Sequence, residues 1–235
     1  MRARSRRTLL VAVLVVPLAL VVAAAAVVWS ARSRNEASPG PTDLERLDVY
    51  GHVPRFSLIE RSGRRAGLDG LHGLVWVANF IYTECKESCP TQTLQLAQIQ
   101  REFSSAPDLR LVSITVDPQH DTPEVLRHYA ERYGATDRWL FLTGDKRGIY
   151  CLAKDGFRLG VTDPTEPIDC GLAWRLGPGP AWATHGSGGV IMHSARLVLV
   201  DRAARIRAYH LATDPESLKR LRVNLRRLLA KDVNP

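Results

Sequence analysis

"NFIYTECKESCPTQT" (Asn79–Thr93) places two thiols, Cys85 and Cys89, four positions apart with Pro90 directly behind them. Two different patterns meet in this stretch. Upstream, "LVWVANFIYT" (Leu74–Thr83) is an almost continuous apolar and β-branched run, as expected of a strand buried on both faces. Downstream, "CPTQTLQLAQIQREF" (Cys89–Phe103) predicts a helix, with Pro90 in a first-turn position where its missing N–H costs nothing. The thiols therefore fall where a central strand hands over to a helix, at the carboxyl end of the sheet. Open α/β folds place their sites there.

The pattern continues outward from this junction. "FSLIERSGRRAGLDGLHG" (Phe56–Gly73) reads as a short hairpin and a turn-rich segment. "LRLVSITVDP" (Leu109–Pro118) is a second buried strand, and "DTPEVLRHYAERYG" a helix with Thr122 as N-cap, Pro123 at its first position and Gly134 as its stop. "WLFLTGD" (Trp139–Asp145) is a third strand and "KRGIYCLAKDGF" (Lys146–Phe157) a helix. Asp155–Gly189 is irregular and rich in Gly and Pro. "GVIMHSARLVLVD" (Gly189–Asp201) and "ARIRAYHLA" (Ala204–Ala212) form an antiparallel pair about a turn at Asp201–Ala204, and Pro215–Asp232 closes the chain as an amphipathic helix. Alternating strands and helices followed by a hairpin and a helix imply an α/β fold, a mixed sheet covered on both faces. One domain, residues 47–235, accommodates it.

The first residues have a different character. Residues 1–8 form a basic tail, and Leu9–Trp29 is an uncharged run of 21 residues. As a helix this run spans roughly 31 Å, enough for a bilayer core. Its length favours an uncleaved anchor over a cleaved signal peptide, whose apolar region is shorter. Four arginines precede the run and two follow it, which places the N-terminus in the cytoplasm and the rest of the chain on the periplasmic side of a bacterial inner membrane. Residues 30–46 read as a polar linker. The formal charge of +8 is largely this topology signal: six of the 32 basic residues lie in residues 1–34, leaving 26 basic against 24 acidic residues beyond. The balance implies no nucleic-acid partner.

An even count of four cysteines in an exported chain first suggests structural disulfides. Cys85 and Cys89 fit that reading poorly, because a bond between them would close a tiny loop and gain little unfolded-state entropy. On a helical turn, positions i and i+4 face the same way, so both sulfurs can reach each other or one soft metal ion. A nearby helix N-terminus is expected to lower the cost of the thiolate. Two thiolates alone under-coordinate a metal. Of seven histidines, His193 stands at the start of a predicted strand and His185 on the segment before it; His52, His72, His120, His128 and His210 have no supporting context.

"NFIYTECKESCPTQT", "SITVDPQHDTPEVLRHYAERYG" and "HSARLVLVDRAARIRAYH", in this order, resemble the Sco/SenC family of membrane-anchored, thioredoxin-like copper proteins. The resemblance covers about Val53 to the C-terminus. It implies a thioredoxin-like fold and one copper ion, Cu(I) or Cu(II), held by Cys85, Cys89 and His193. Asp117, in the TVDP segment, is expected near the site without a ligand role. The implied partner is the cytochrome c oxidase subunit that carries the CuA centre, or another periplasmic copper acceptor. The implied function is to deliver copper to that centre or to reduce its cysteines.

Cys151 and Cys170 depart from the family's usual pattern; a disulfide tying the Asp155–Gly189 segment to the preceding helix is one expectation, and a free pair that interferes with Cys85 and Cys89 is the other. The unusual length of "DCGLAWRLGPGPAWATHGSGG" before His193 keeps His185 as a fallback ligand. The rival functions are a thiol–disulfide oxidoreductase cycling Cys85 and Cys89 without a metal, and a copper or redox sensor. The oxidoreductase would normally carry CxxC and a cis-proline, which "IMHS" lacks. A peroxiredoxin is disfavoured because Ala78 and Asn79 stand where its motif needs a proline.

Overall fold

The computed structural model describes residue 22 and residues 43–85, 88–162, 170 and 192–230. The predicted anchor Leu9–Trp29, apart from Val22, lies outside these residues, as does His185. Among the described residues no helix is long and apolar enough to cross a membrane.

Leu44–Pro235 is one compact unit. Its strands are β1 (Gly51–His52), β2 (Ser57–Glu60), β3 (Arg65–Gly67), β4 (Val75–Ile81), β5 (Leu109–Thr115), β6 (Trp139–Thr143), β7 (Val161–Thr162), β8 (Met192–His193), β9 (Arg196–Val200) and β10 (Arg205–Leu211). The helices are α1 (Ser88–Glu102), α2 (Pro123–Arg132), α3 (Lys146–Cys151) and α4 (Pro215–Ala230). Eight strands form one sheet in the order β1-β10-β9-β4-β5-β6-β2-β3, and β7 pairs with β8 separately. β4, β5 and β6 run parallel, while β9 joins β4 antiparallel, so the sheet is mixed as expected.

The period-2 alternation of the strands builds two cores. From β4, Val75, Val77 and Ile81 face a first core with Leu96 and Ile99 of α1, Leu126 of α2, and Leu221 and Leu225 of α4. Trp76, Ala78 and Phe80 face a second core with Ile149 and Leu152 from the α3 side. Every residue of β4 is buried, which is why its sequence reads as a continuous apolar run.

Helix starts follow their local signals. The Thr122 side chain accepts from Val125 N with Pro123 in the first turn, and the Asp145 side chain accepts from Gly148 N at the head of α3. Gly134 has φ of 65° just past α2, a conformation glycine adopts without Cβ strain.

Three expectations about secondary structure change. The Lys146–Phe157 helix is α-helical only to Cys151; Leu152–Gly156 continues as a π turn closed by Phe157 N donating to Leu152 O. The wider turn lets Gly156 pass against Pro54, where an added Cβ would lie 2.9 Å from Pro54 Cδ. The single strand expected over Gly189–Asp201 is two strands in two sheets. Around Ser194 and Ala195 the backbone bonds elsewhere, Ser194 N to Gly160 O and Ala212 N to Ala195 O. Part of the segment expected to be irregular is strand β7.

Glu45, read as linker, is buried and accepts hydrogen bonds from Ser217 and Arg220 of α4, while its carbonyl accepts from Asn224 Nδ2 at 2.7 Å. His210 of β10 completes the cluster: it is fully buried, with Nε2 3.3 Å from Asn224 Nδ2. Burial pushes its imidazole pKa down to about 4 from the usual 6.5, against the pull of the Glu45 carboxylate. Above pH 6.5 the ring is neutral in both folded and unfolded chains. As pH falls from 6.5 towards 4, the unfolded chain takes up a proton that the folded chain refuses, so this contribution to stability is lost over that window. At roughly 1.4 kcal/mol per pH unit the loss amounts to about 3 kcal/mol. Urea midpoints at pH 7 and pH 4.5 should therefore fall further in the parent than in His210→Gln; equal falls would contradict the assignment.

Candidate metal centre

Cys85 and Cys89 are held by the segment between β4 and α1. After Ile81 the chain turns, with Cys85 N donating to Tyr82 O at 3.2 Å, and Cys89 occupies the first turn of α1. Neither cysteine is disulfide-bonded, and both are buried within the first core, 8% and 0% exposed. The Cys85 side chain hydrogen-bonds to that of Cys89. Because Cys85 precedes α1, the two are brought together by the turn before the helix rather than by the one helical face that the sequence had suggested.

The turn is fixed by a residue that the sequence reading passed over. Asp121 is buried and accepts from Thr83 N at 3.0 Å, from Thr83 Oγ1 and from Thr115 Oγ1. One carboxylate thus ties the residue two before Cys85 to the end of β5. Its own N–H donates to Asp117 O at 2.9 Å, and Asp117 N donates to Thr115 Oγ1. Asp117 itself turns its carboxylate to His120 Nδ1, 2.8 Å away, and raises that imidazole's pKa. Burial raises the Asp121 pKa, while the donations from Thr115 and Thr83 oppose it.

Beneath Cys89, Thr93 Oγ1 donates to Cys89 O at 2.8 Å and meets Tyr129 OH at 2.9 Å. Further under α1, Trp139 Nε1 donates to Ser113 Oγ, which donates to Asn79 Oδ1, and Asn79 Nδ2 reaches Gln92 Oε1. Asn79 and Ser113 stand inside strands whose neighbours are apolar. That misfit was the available signal: a polar group in a strand buried on both faces must find a partner.

Burial, then the hydrogen bond with Cys85, pushes the Cys89 thiol pKa well above its ordinary value; a backbone hydrogen bond from Tyr82 acts the other way. The sequence reading expected the helix N-terminus to favour the thiolate. At 0% exposure desolvation outweighs it. Without a cation Cys89 is therefore a neutral thiol. Two adjacent, reduced, soft sulfur donors fit a soft monovalent metal, whose charge would replace the protons.

The backbone of His193 lies in β8 opposite Val161, and its imidazole lies outside the described side chains. Among the described residues no group of three or more His, Cys, Asp or Glu is gathered in a metal-binding arrangement. Cys151 and Cys170 are joined by a disulfide.

Comparison with known proteins gives one consistent answer. The sequence model described as SCO1/SenC matches residues 46–228. The SCO1 protein homolog of Bacillus subtilis is 36% identical over 94 residues, 39% of this chain and 49% of that protein. The chain spans about half the length of the curated relatives it matches. Bradyrhizobium japonicum ScoI, solved with copper bound, superposes with a TM-score of 0.57 at 21% identity, over 76% of this chain and 99% of that one. BsSco, described as a member of the Sco family of cytochrome c oxidase assembly proteins, superposes with a TM-score of 0.61 at 23% identity, over 79% and 98%. At these identities the structural likeness speaks for the fold, which is thioredoxin-like.

The buried dithiol makes a prediction. Iodoacetamide at pH 8 should alkylate Cys89 at least about tenfold more slowly in the folded, reduced chain than in urea, because the thiolate is the nucleophile. Equal rates, read by mass spectrometry, would contradict the burial described here.

Proposed function

The chain belongs to the SCO1/SenC family, and we propose that it is a membrane-tethered carrier of one copper ion. Cys85, Cys89 and His193 hold the ion. Leu9–Trp29 anchors the chain in a bacterial inner membrane, with the folded domain on the periplasmic side. The acceptor is the CuA-bearing subunit of cytochrome c oxidase, or another periplasmic copper acceptor, and the protein delivers copper to it or reduces its cysteines.

The observation that carries this reading is the buried pair of thiols outside any disulfide, hydrogen-bonded to each other at the strand–helix junction. The uncharged run flanked by arginines supports the anchor. A copper-bound ScoI and the description of BsSco as a cytochrome c oxidase assembly protein support the cargo and the acceptor.

Within that reading the chain's own groups have distinct tasks. Cys85 and Cys89 each give up a proton and supply soft donors, and the imidazole of His193 supplies a third of intermediate softness. Asp121, through Thr83, keeps the Cys85 turn in one conformation, so the sulfurs need little reorganisation when the ion arrives or leaves. Burial keeps the unloaded Cys89 thiol protonated and shielded from oxidation. A site of three ligands leaves room for an acceptor thiolate to enter before the old ligands depart.

The full-length chain, in detergent and reduced anaerobically, should retain one equivalent of Cu(I) on dialysis. Cys85→Ser and Cys89→Ser should each lose it. His193→Ala should weaken retention at least about tenfold, since losing a ligand should cost no less than losing an outer-shell partner. Copper that stays after either cysteine change would overturn the carrier reading. Disulfide-reductase activity indifferent to His193, without copper retention, would establish the oxidoreductase instead.

A further inference from the structure

The strand that carries His193 is too short to hold its own place. β7 and β8 have two residues each and pair with one another, Val161 opposite His193 and Thr162 opposite Met192, apart from the eight-stranded sheet. An isolated two-stranded ladder is marginal even when longer. The backbone position of His193 therefore depends on what fixes β7.

One end of β7 is fixed by the second core. The Phe157 ring is fully buried and meets Trp76 and Phe80 edge-on, with centroids 5.9 and 5.3 Å away. Its carbonyl accepts from Tyr209 OH at 3.1 Å. Leu159 N then donates to Ala153 O, and Gly160 O accepts from Ser194 N, the residue after His193. The second link is a sulfur bridge. Cys170, eight positions past Thr162 in the sequence, is bonded to Cys151, the last residue of α3. The bond spans 19 positions of sequence, and β7 lies wholly inside that ring. A closed ring has far fewer conformations than an open segment of the same length.

We propose that the Cys151–Cys170 disulfide is a positioning element for the copper site: by closing the ring that contains β7, it restricts the strand against which the His193 backbone is held. The inference rests on His193 being a copper ligand, as proposed above. Its role in this proposal is positional. Both its cysteines are buried, and Cys151 ends α3, which packs into the second core, whereas Cys85 and Cys89 belong to the first core across the sheet. With Cys151 and Cys170 joined to each other, the free pair that the sequence also allowed is not what the structure shows.

The test compares four full-length proteins: parent, Cys151→Ala/Cys170→Ala, His193→Ala and the combination. Cu(I) affinity is read by competition with a chromogenic chelator, and imidazole ligation by nitrogen hyperfine couplings in the EPR spectrum of the Cu(II) form. Removing the disulfide should weaken copper binding about tenfold, in the range of outer-shell changes at metal sites, and diminish the nitrogen couplings. In the His193→Ala background the same removal should change affinity less than about twofold, because the two changes act through one contact.

Unchanged affinity and couplings in the disulfide-free protein, alongside a weakened His193→Ala, would overturn the inference while leaving the site intact. An unaffected His193→Ala would instead overturn the ligand assignment, and the inference with it. Should the double variant fail to fold, the parent serves: as a phosphine opens the disulfide, affinity should fall in step with the thiols released. Affinity that stays constant through the opening would also overturn the proposal.

Discussion

Every side chain of β4 from Val75 to Ile81 is buried, so this strand has no solvent face and its only exit is at its ends. At the carboxyl end the chain must turn within a few residues and start α1, which covers the same face of the sheet. The thiols lie in that forced turn. Asp121, just after β5, holds both Thr83 and Thr115, so the turn before Cys85 is tied to two adjacent parallel strands. Both the fold and the candidate metal site follow from one buried strand and the carboxylate that fixes its last turn.

The electrostatics of the site follow from the same burial. In a water-filled cleft, a helix N-terminus beside a thiol would favour the anion. Here desolvation is the larger effect at Cys89, whose thiol stays neutral until a cation compensates the charge. A buried thiol that becomes anionic only on binding metal fits the proposed carrier, which must resist oxidation when empty and offer strong donors when loaded. An oxidoreductase needs an accessible thiolate at neutral pH, which this environment suppresses.

Much of this was readable in the sequence, for physical reasons. Continuous apolar runs marked β4 and β5; Thr122 and Gly134 marked helix boundaries through a side-chain hydrogen bond and a φ preference that are local. What escaped notice was non-local. Glu45 looked like linker because its partners, Ser217, Arg220 and Asn224, lie more than 170 residues downstream. Asp121 looked like an ordinary residue before a helix, whereas Asp117 drew attention by its motif and points instead to His120. The π turn depends on the passage of Gly156 against Pro54, and the break between β8 and β9 on Gly160, contacts that no periodicity encodes. Cys85 and Cys89 were legible because they lie only four positions apart; His193, the proposed third donor, was suggested by a family resemblance alone.

X-ray absorption at the copper edge of the full-length protein, loaded with one equivalent of Cu(I), tests the central claim most directly. The account predicts two sulfur scatterers and one imidazole nitrogen, with the nitrogen lost in His193→Ala and the sulfurs retained. A spectrum fitted by sulfur alone, or one that His193→Ala leaves unchanged, would contradict it.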